Sequence, residues 1–149
     1  FAAAFVGSVG GSPRLRNTGL AMVANVAAAD LAKQVVKKYI KRTRPHRLLD
    51  HGHYDSEVGE ERDEKDYNSF PSGHVARALA GAHAVGGSYT GSLPCGAAAT
   101  AVVAAARLAK GAHWPVDVLG GLLVGWVTSA VTSRLVNRSF LRNENRSRP

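Results

Sequence analysis

The sequence predicts an all-α protein, a transmembrane helical bundle with four main helices and a long polar loop between the first and the second. Three observations predict it. Four segments are rich in Ala, Val, Leu and Gly. Runs of alternating β-branched and aromatic residues, the mark of half-buried strands, do not occur. The apolar segments are also built from Gly, Ala and Ser, which let helices approach closely inside a bilayer.

The first segment is Asn17 to Ile40, "NTGLAMVANVAAADLAKQVVKKYI". The second begins at His74 and runs to Val85 or Tyr89, the third is Pro94 to Lys110, and the fourth is Pro115 to Val136. Pro115 suits a first helical turn, where its missing N–H costs nothing. A span needs about 20 apolar residues. The fourth segment has 16 uncharged residues after Asp117 and the third has 13 before Arg107, so hydropathy alone makes weak spans. Gly121-Leu-Leu-Val-Gly125 adds a small-xxx-small pattern, but buried helices of a soluble bundle remain a competing reading.

Charge narrows the choice of partner. The net charge of +8 points to phosphate, nucleic acid or an anionic membrane surface. Eight of the eleven acids lie between Asp50 and Asp66, whereas the remainder carries 17 Lys and Arg against Asp30, Asp117 and Glu144. If all four helices span, Arg14 and Arg16, the turn "GGSYTGS" and the basic tail 134–149 share one side, cytoplasmic by the excess of positive charge. The loop from Lys41 to Phe70 and the turn "KGAHW" then share the other. Trp114 and Trp126 are candidates for the membrane interface, Trp126 alternatively for the core. Cys95, the single cysteine, forms no internal disulfide and reads as a small apolar helix residue.

Three polar clusters would meet on that second side. In "KKYIKRTRPHR", Lys37 supplies a point charge, Arg44 a planar fork for two oxygens, and Pro45 fixes where Arg44 points. In "NSFPSGH", Ser72 reads as the N-cap of the second helix. The free N–H groups near Gly73 and His74, with the positive end of the helix dipole, make an anion site there. In "ARLAKGAHWPVD", Arg107 closes the third helix, and Asp117 can reach back to His113 across the first turn of the fourth. A carboxylate on one imidazole nitrogen fixes the tautomer and frees the other as base or nucleophile. Taken singly, each cluster has a plainer reading: a solvated basic helix end, an ordinary cap, an acidic first turn.

In this order, Lys-x6-Arg-Pro (Lys37, Arg44, Pro45), Pro-Ser-Gly-His (71 to 74) and Arg-x5-His-x3-Asp (Arg107, His113, Asp117) resemble the three-part motif of the type 2 phosphatidic acid phosphatase and vanadium haloperoxidase superfamily. The flanking helices extend the resemblance over most of the chain. One departure is Ala106, where the family often has Ser, which bears on one auxiliary hydrogen bond. The resemblance implies a metal-independent phosphatase in which His113 attacks phosphorus and Asp117 supports its imidazole. His74 protonates the leaving oxygen and then serves the attacking water. Lys37, Arg44, Ser72, Gly73 and Arg107 hold the phosphoryl oxygens.

Several expectations follow from the resemblance. The substrate is a lipid phosphate monoester or an isoprenoid or lipid diphosphate. No cofactor is required, vanadate binds as a phosphate mimic, and no nucleic acid is bound. The alternatives are a vanadium-dependent haloperoxidase, a soluble acid phosphatase of the same superfamily and, least supported by the motifs, a non-enzymatic basic protein. The expected location is the bacterial inner membrane, with the active site facing away from the cytoplasm. Residues 1–149 read as one phosphatase domain, a fragment lacking N-terminal helices, with 1–16 the remnant of a preceding helix and loop. His51 and His53 read as part of a mobile surface loop rather than a metal site, and Arg77 as a balance for the acidic loop.

Overall fold

The computed structural model describes residues 12–46, 48, 56–58 and 68–146, with side-chain surroundings up to residue 135 except at 56–58. Four helices dominate: α1 Pro13–Tyr39, α2 Gly73–Ser88, α3 Leu93–Ala109 and α4 Pro115–Arg146. Two three-residue strands, β1 Ile40–Arg42 and β2 Ser56–Val58, pair antiparallel with Lys41 opposite Glu57. The helices fall where composition placed them, with two differences. Helix α1 starts at Pro13, four residues before Asn17, so residues 13–16 belong to it and not to a preceding loop; Ser12 stands before it and Pro13 suits its first turn. Helix α4 continues to Arg146 instead of stopping near Val136, because no Gly or Pro interrupts residues 126–148 and isolated arginines do not end a helix. Residues 1–11 and the acidic stretch 59–67, with His51 and His53, lie outside the described residues.

Side-chain contacts give the direction of each helix. Helix α1 runs antiparallel to α2: Arg14 reaches the Ser88 carbonyl at one end, Asn25 reaches that of Ala80 in the middle, and Asp30 meets Arg77 towards the other end. Helix α3 returns antiparallel to α2 after the turn at residues 89–92, with Gly96 against Ala82. Helix α4 runs parallel to α2. Gly121 lies against the Ser72 carbonyl and Val75, and Gly125 against the Ala76 backbone and Leu79. A Cβ on Gly121 would stand 2.5 Å from the Ser72 oxygen, so the two helices can approach this closely only without a side chain there. The C-terminal ends of α1 and α3 and the N-terminal ends of α2 and α4 therefore gather at one end of the bundle.

Large side chains face outwards. Leu31, Leu93, Val102, Leu119, Leu123 and Trp126 are each exposed by more than half. The interior is small or polar: Ala29, Ala76, Ala80 and Ala84 with Thr18, Asn25, Thr100 and Ser129. Trp126 is thus on the surface and not in the core. Helix α1 and the first part of α4, Pro115–Leu135, are long and apolar enough to cross a membrane. Cys95, near the start of α3, is exposed.

Candidate active site

The gathered helix ends bring the three sequence clusters together. His113 and Asp117 sit where the turn after α3 enters α4, and both are buried. Gly111, with φ +60°, makes that turn, and its carbonyl accepts the His46 N–H at 3.1 Å. The turn is thereby tied to the segment that follows Arg44-Pro45. A cis peptide joins Phe70 to Pro71 immediately before α2.

His113 is held differently from the sequence expectation. Its Nδ1 lies 2.8 Å from the Ser69 carbonyl oxygen and 3.8 Å from Asp117 Oδ2. A carbonyl only accepts, so Nδ1 carries the proton and Nε2 keeps its lone pair. Ser69, not Asp117, is the direct hydrogen-bond partner that sets the tautomer. Asp117 Oδ2 instead accepts the Trp114 N–H at 2.7 Å, capping α4, while Oδ1 stands 3.5 Å from Arg42 Nη1. The carboxylate needs those partners because its side chain is fully buried. Its Oδ2 nevertheless stays 3.8 Å from the His113 ring.

A second set of bonds locks this unit to its neighbours. The Ser72 N–H donates to the Asp117 carbonyl at 2.8 Å, joining the start of α2 to that of α4. The Ser69 N–H donates to the Arg42 carbonyl at 3.1 Å. Trp114 Nε1 donates to the Thr43 carbonyl at 2.9 Å, and the Arg42 guanidinium lies over the indole with its carbon 5.7 Å from the ring centre. Arg42, Ser69 and Trp114 are supporting residues that the motif reading missed. Ser69 acts through its backbone, which has no side-chain signature in a sequence.

The phosphate-binding candidates occupy the same end. Lys37 donates to the Asn68 carbonyl, and Arg44 stands close enough to Lys37 to act on its charge. Ser72 takes the N-cap position of α2, but its side chain makes no capping bond. Its Oγ is buried and has no hydrogen-bond partner among the described residues, and the same holds for Arg107 Nε. The first N–H groups of α2 have no acceptor inside the helix, and the Ser72 hydroxyl does not supply one. The geometry thus leaves several donors beside Gly73. His74 is exposed at this rim, within electrostatic reach of Arg107, Arg77, His113 and Lys33. Arg77 is paired with Asp30, Nε to the two carboxylate oxygens at 2.8 and 3.0 Å, and this pairing gives it a role that the acidic-loop reading did not foresee. Among the described residues, no three His, Cys, Asp or Glu side chains gather as a metal site would require.

A buried imidazole whose Nε2 keeps its lone pair, at the end of the bundle where N–H donors and cations collect, has the groups that attack on a phosphoryl centre and stabilisation of its oxygens require. The model of the PAP2 superfamily matches residues 18–141. Comparison with curated proteins and with solved structures gave no match. The chain belongs to the PAP2 superfamily, whose members are generally phosphoric ester hydrolases and whose activities are of phosphatase or haloperoxidase type.

Proposed function

From that membership we propose that the protein is an integral membrane phosphatase that hydrolyses a lipid phosphate monoester or a lipid or isoprenoid diphosphate through a phosphohistidine, without a metal. The observation that carries the reading is the 2.8 Å contact between His113 Nδ1 and the Ser69 carbonyl, which leaves Nε2 as the nucleophilic atom at the end of the bundle where the donors collect.

In the first step Nε2 attacks phosphorus in line, the N–P bond forms, and the bond to the leaving oxygen breaks with its electron pair on that oxygen. His74, exposed at the rim, supplies the proton. The positive charge gained by His113 is met by Asp117, whose own place is fixed by Trp114 and Arg42. In the second step water, deprotonated by His74, attacks the phosphohistidine and returns His113 to its starting form. Lys37, Arg44, Arg107, the Ser72 hydroxyl and the N–H groups at Gly73 hold the three equatorial oxygens. Fixed cations in this arrangement do the electrostatic work that a metal ion does elsewhere. Vanadate, which adopts the same trigonal geometry, is expected to inhibit competitively.

The distribution of side chains supports a membrane setting over the soluble acid phosphatase alternative. Leu, Val and Trp side chains cover the outside, while Ala, Thr, Ser and Asn fill the inside. In water this arrangement exposes far more large apolar surface than a soluble bundle tolerates. In lipid it is the favourable one, since small residues give close helix contacts and large ones meet acyl chains. Arg14 and the end of α2 lie together at the end away from the site. We place that end in the cytoplasm and the active site on the outer face, an assignment that labelling of Cys95 tests.

The direct test is phosphate release in detergent with EDTA present, from phosphatidic acid, an isoprenoid diphosphate and p-nitrophenyl phosphate, for the wild type and His113→Ala. Release that persists in EDTA and disappears in the variant is expected. Release that survives His113→Ala would remove the phosphohistidine.

A further inference from the structure

Helix α1 carries a charged group that the three-part motif does not include. Asp30 accepts from Lys33 Nζ at 2.7 Å and from Arg77 Nε at 2.8 Å, so two cations from two helices share one carboxylate and leave a surplus of one positive charge. The Lys33 side chain is only 12% exposed and crosses directly over the first residue of α2. A Cβ on Gly73 would stand 2.7 Å from Lys33 Cδ and 3.3 Å from Nζ. The glycine in front of His74 therefore makes room for this lysine as well as for an approaching anion. Arg77 lies three residues beyond His74, one turn along the same helix, and its side chain is 45% exposed. Asp30 and Lys33 belong to a helix long and apolar enough to span, where ionisable groups are costly and ordinarily serve a function.

The position of this group relative to the chemistry gives it a meaning. In-line displacement puts the leaving group opposite the nucleophile, on the side of the general acid. With His113 attacking and His74 protonating, the leaving group departs past His74, where Lys33 and Arg77 stand. An alkoxide that takes a proton from His74 leaves uncharged and has no need of two further cations. A leaving phosphate monoester keeps negative charge and does.

Resting on the phosphatase reading above, we infer that Lys33 and Arg77, positioned by Asp30, bind the second phosphoryl group of a diphosphate substrate and make this site selective for lipid diphosphates over monophosphates. His113 Nε2 forms the N–P bond to the terminal phosphorus. The bond from that phosphorus to the bridging oxygen breaks with its pair on the oxygen, and the lipid monophosphate departs held by Lys33 and Arg77. Water then cleaves the N–P bond to give orthophosphate.

The test compares kcat/KM for a lipid diphosphate and the lipid monophosphate of the same chain, with EDTA, in the full chain carrying Lys33→Gln or Arg77→Gln. The expected result is a fall of about 10- to 100-fold in the diphosphate-to-monophosphate ratio, the scale of a lost hydrogen bond between charged groups. A second measurement needs no variant. Methylenediphosphonate should inhibit wild-type hydrolysis of p-nitrophenyl phosphate at least about tenfold more strongly than orthophosphate does. An unchanged ratio in both variants, or equal inhibition by the two anions, overturns the inference while His113-dependent release leaves the phosphatase reading standing. Absence of His113-dependent release from every substrate overturns both.

Discussion

Helices α3 and α4 both deliver a motif residue to the same end of the bundle, and they are held there in different ways. Helix α4 begins in a mesh: the Asp117 carbonyl takes the Ser72 N–H, its carboxylate takes the Trp114 N–H, and Gly121 and Gly125 press against the backbone of α2. Helix α3 packs on α2 through Gly96 and Leu93, is exposed along most of its length, and ends in Arg107, whose Nε has no partner among the described residues. The difference separates two demands of the chemistry. The proposed nucleophile, His113, has to be oriented before substrate arrives, and its supports are intramolecular and buried. On the proposed mechanism an oxyanion donor has to be unspent until substrate arrives, and an Arg107 placed by its helix with Nε unpartnered among the described residues fits that demand.

Substitutions can break or sharpen this contrast. The largest effect is expected from His113→Ala on the α4 side: phosphate release should fall to the uncatalysed background, measured as burst and steady-state release. Arg107→Ala should cost about 100- to 1,000-fold in kcat/KM, the scale of one lost oxyanion donor. Its melting temperature should stay close to the wild-type value, because no internal bond is lost. A matching drop in stability would mean that Arg107 is structural after all.

Packing changes should be smaller and should sort by helix. Gly121→Ala puts a methyl group 2.5 Å from the backbone oxygen of Ser72, which cannot swing away, and should destabilise by about 1–3 kcal/mol in detergent unfolding. Because that oxygen lies at the N-terminus of α2, activity should fall together with stability. Gly86→Ala meets only the end of the Leu93 side chain, which can rotate aside. Its effect should be within about 0.5 kcal/mol, with activity retained. If Gly86→Ala proved the more damaging of the two, α3 and not α4 would be the rigid partner of α2.

Much of the fold was legible because helix composition and the Gly and Pro punctuation act locally. The starts at Gly73 and Leu93 follow a Ser and lie within a residue of the expected ones, α4 begins on Pro115 as expected, and the start at Pro13 comes four residues ahead of Asn17. The motif residues were legible because the proposed chemistry rests on their side chains. What stayed hidden depended on main-chain groups or on helix adjacency. Ser69 contributes a carbonyl, which any residue would have, so Asp117 looked like the imidazole's partner. Ser72 looked like a capping residue, yet its hydroxyl makes no capping bond. Arg77 and Asp30 are 47 positions apart, and only the antiparallel pairing of α1 with α2 makes them neighbours.

The exposed Cys95 turns the bundle into its own compass. It lies near the start of α3, and the 17 residues of that helix put about 25 Å between its two ends, with Arg107 and the His113 turn at the far one. A charged maleimide that cannot cross a bilayer would therefore report, on the unaltered chain, which compartment the opposite pole faces. Labelling of intact spheroplasts would place the proposed phosphate site inside the cell. Protection until the membrane is opened would place it outside, where a lipid head group is dephosphorylated after crossing and not before.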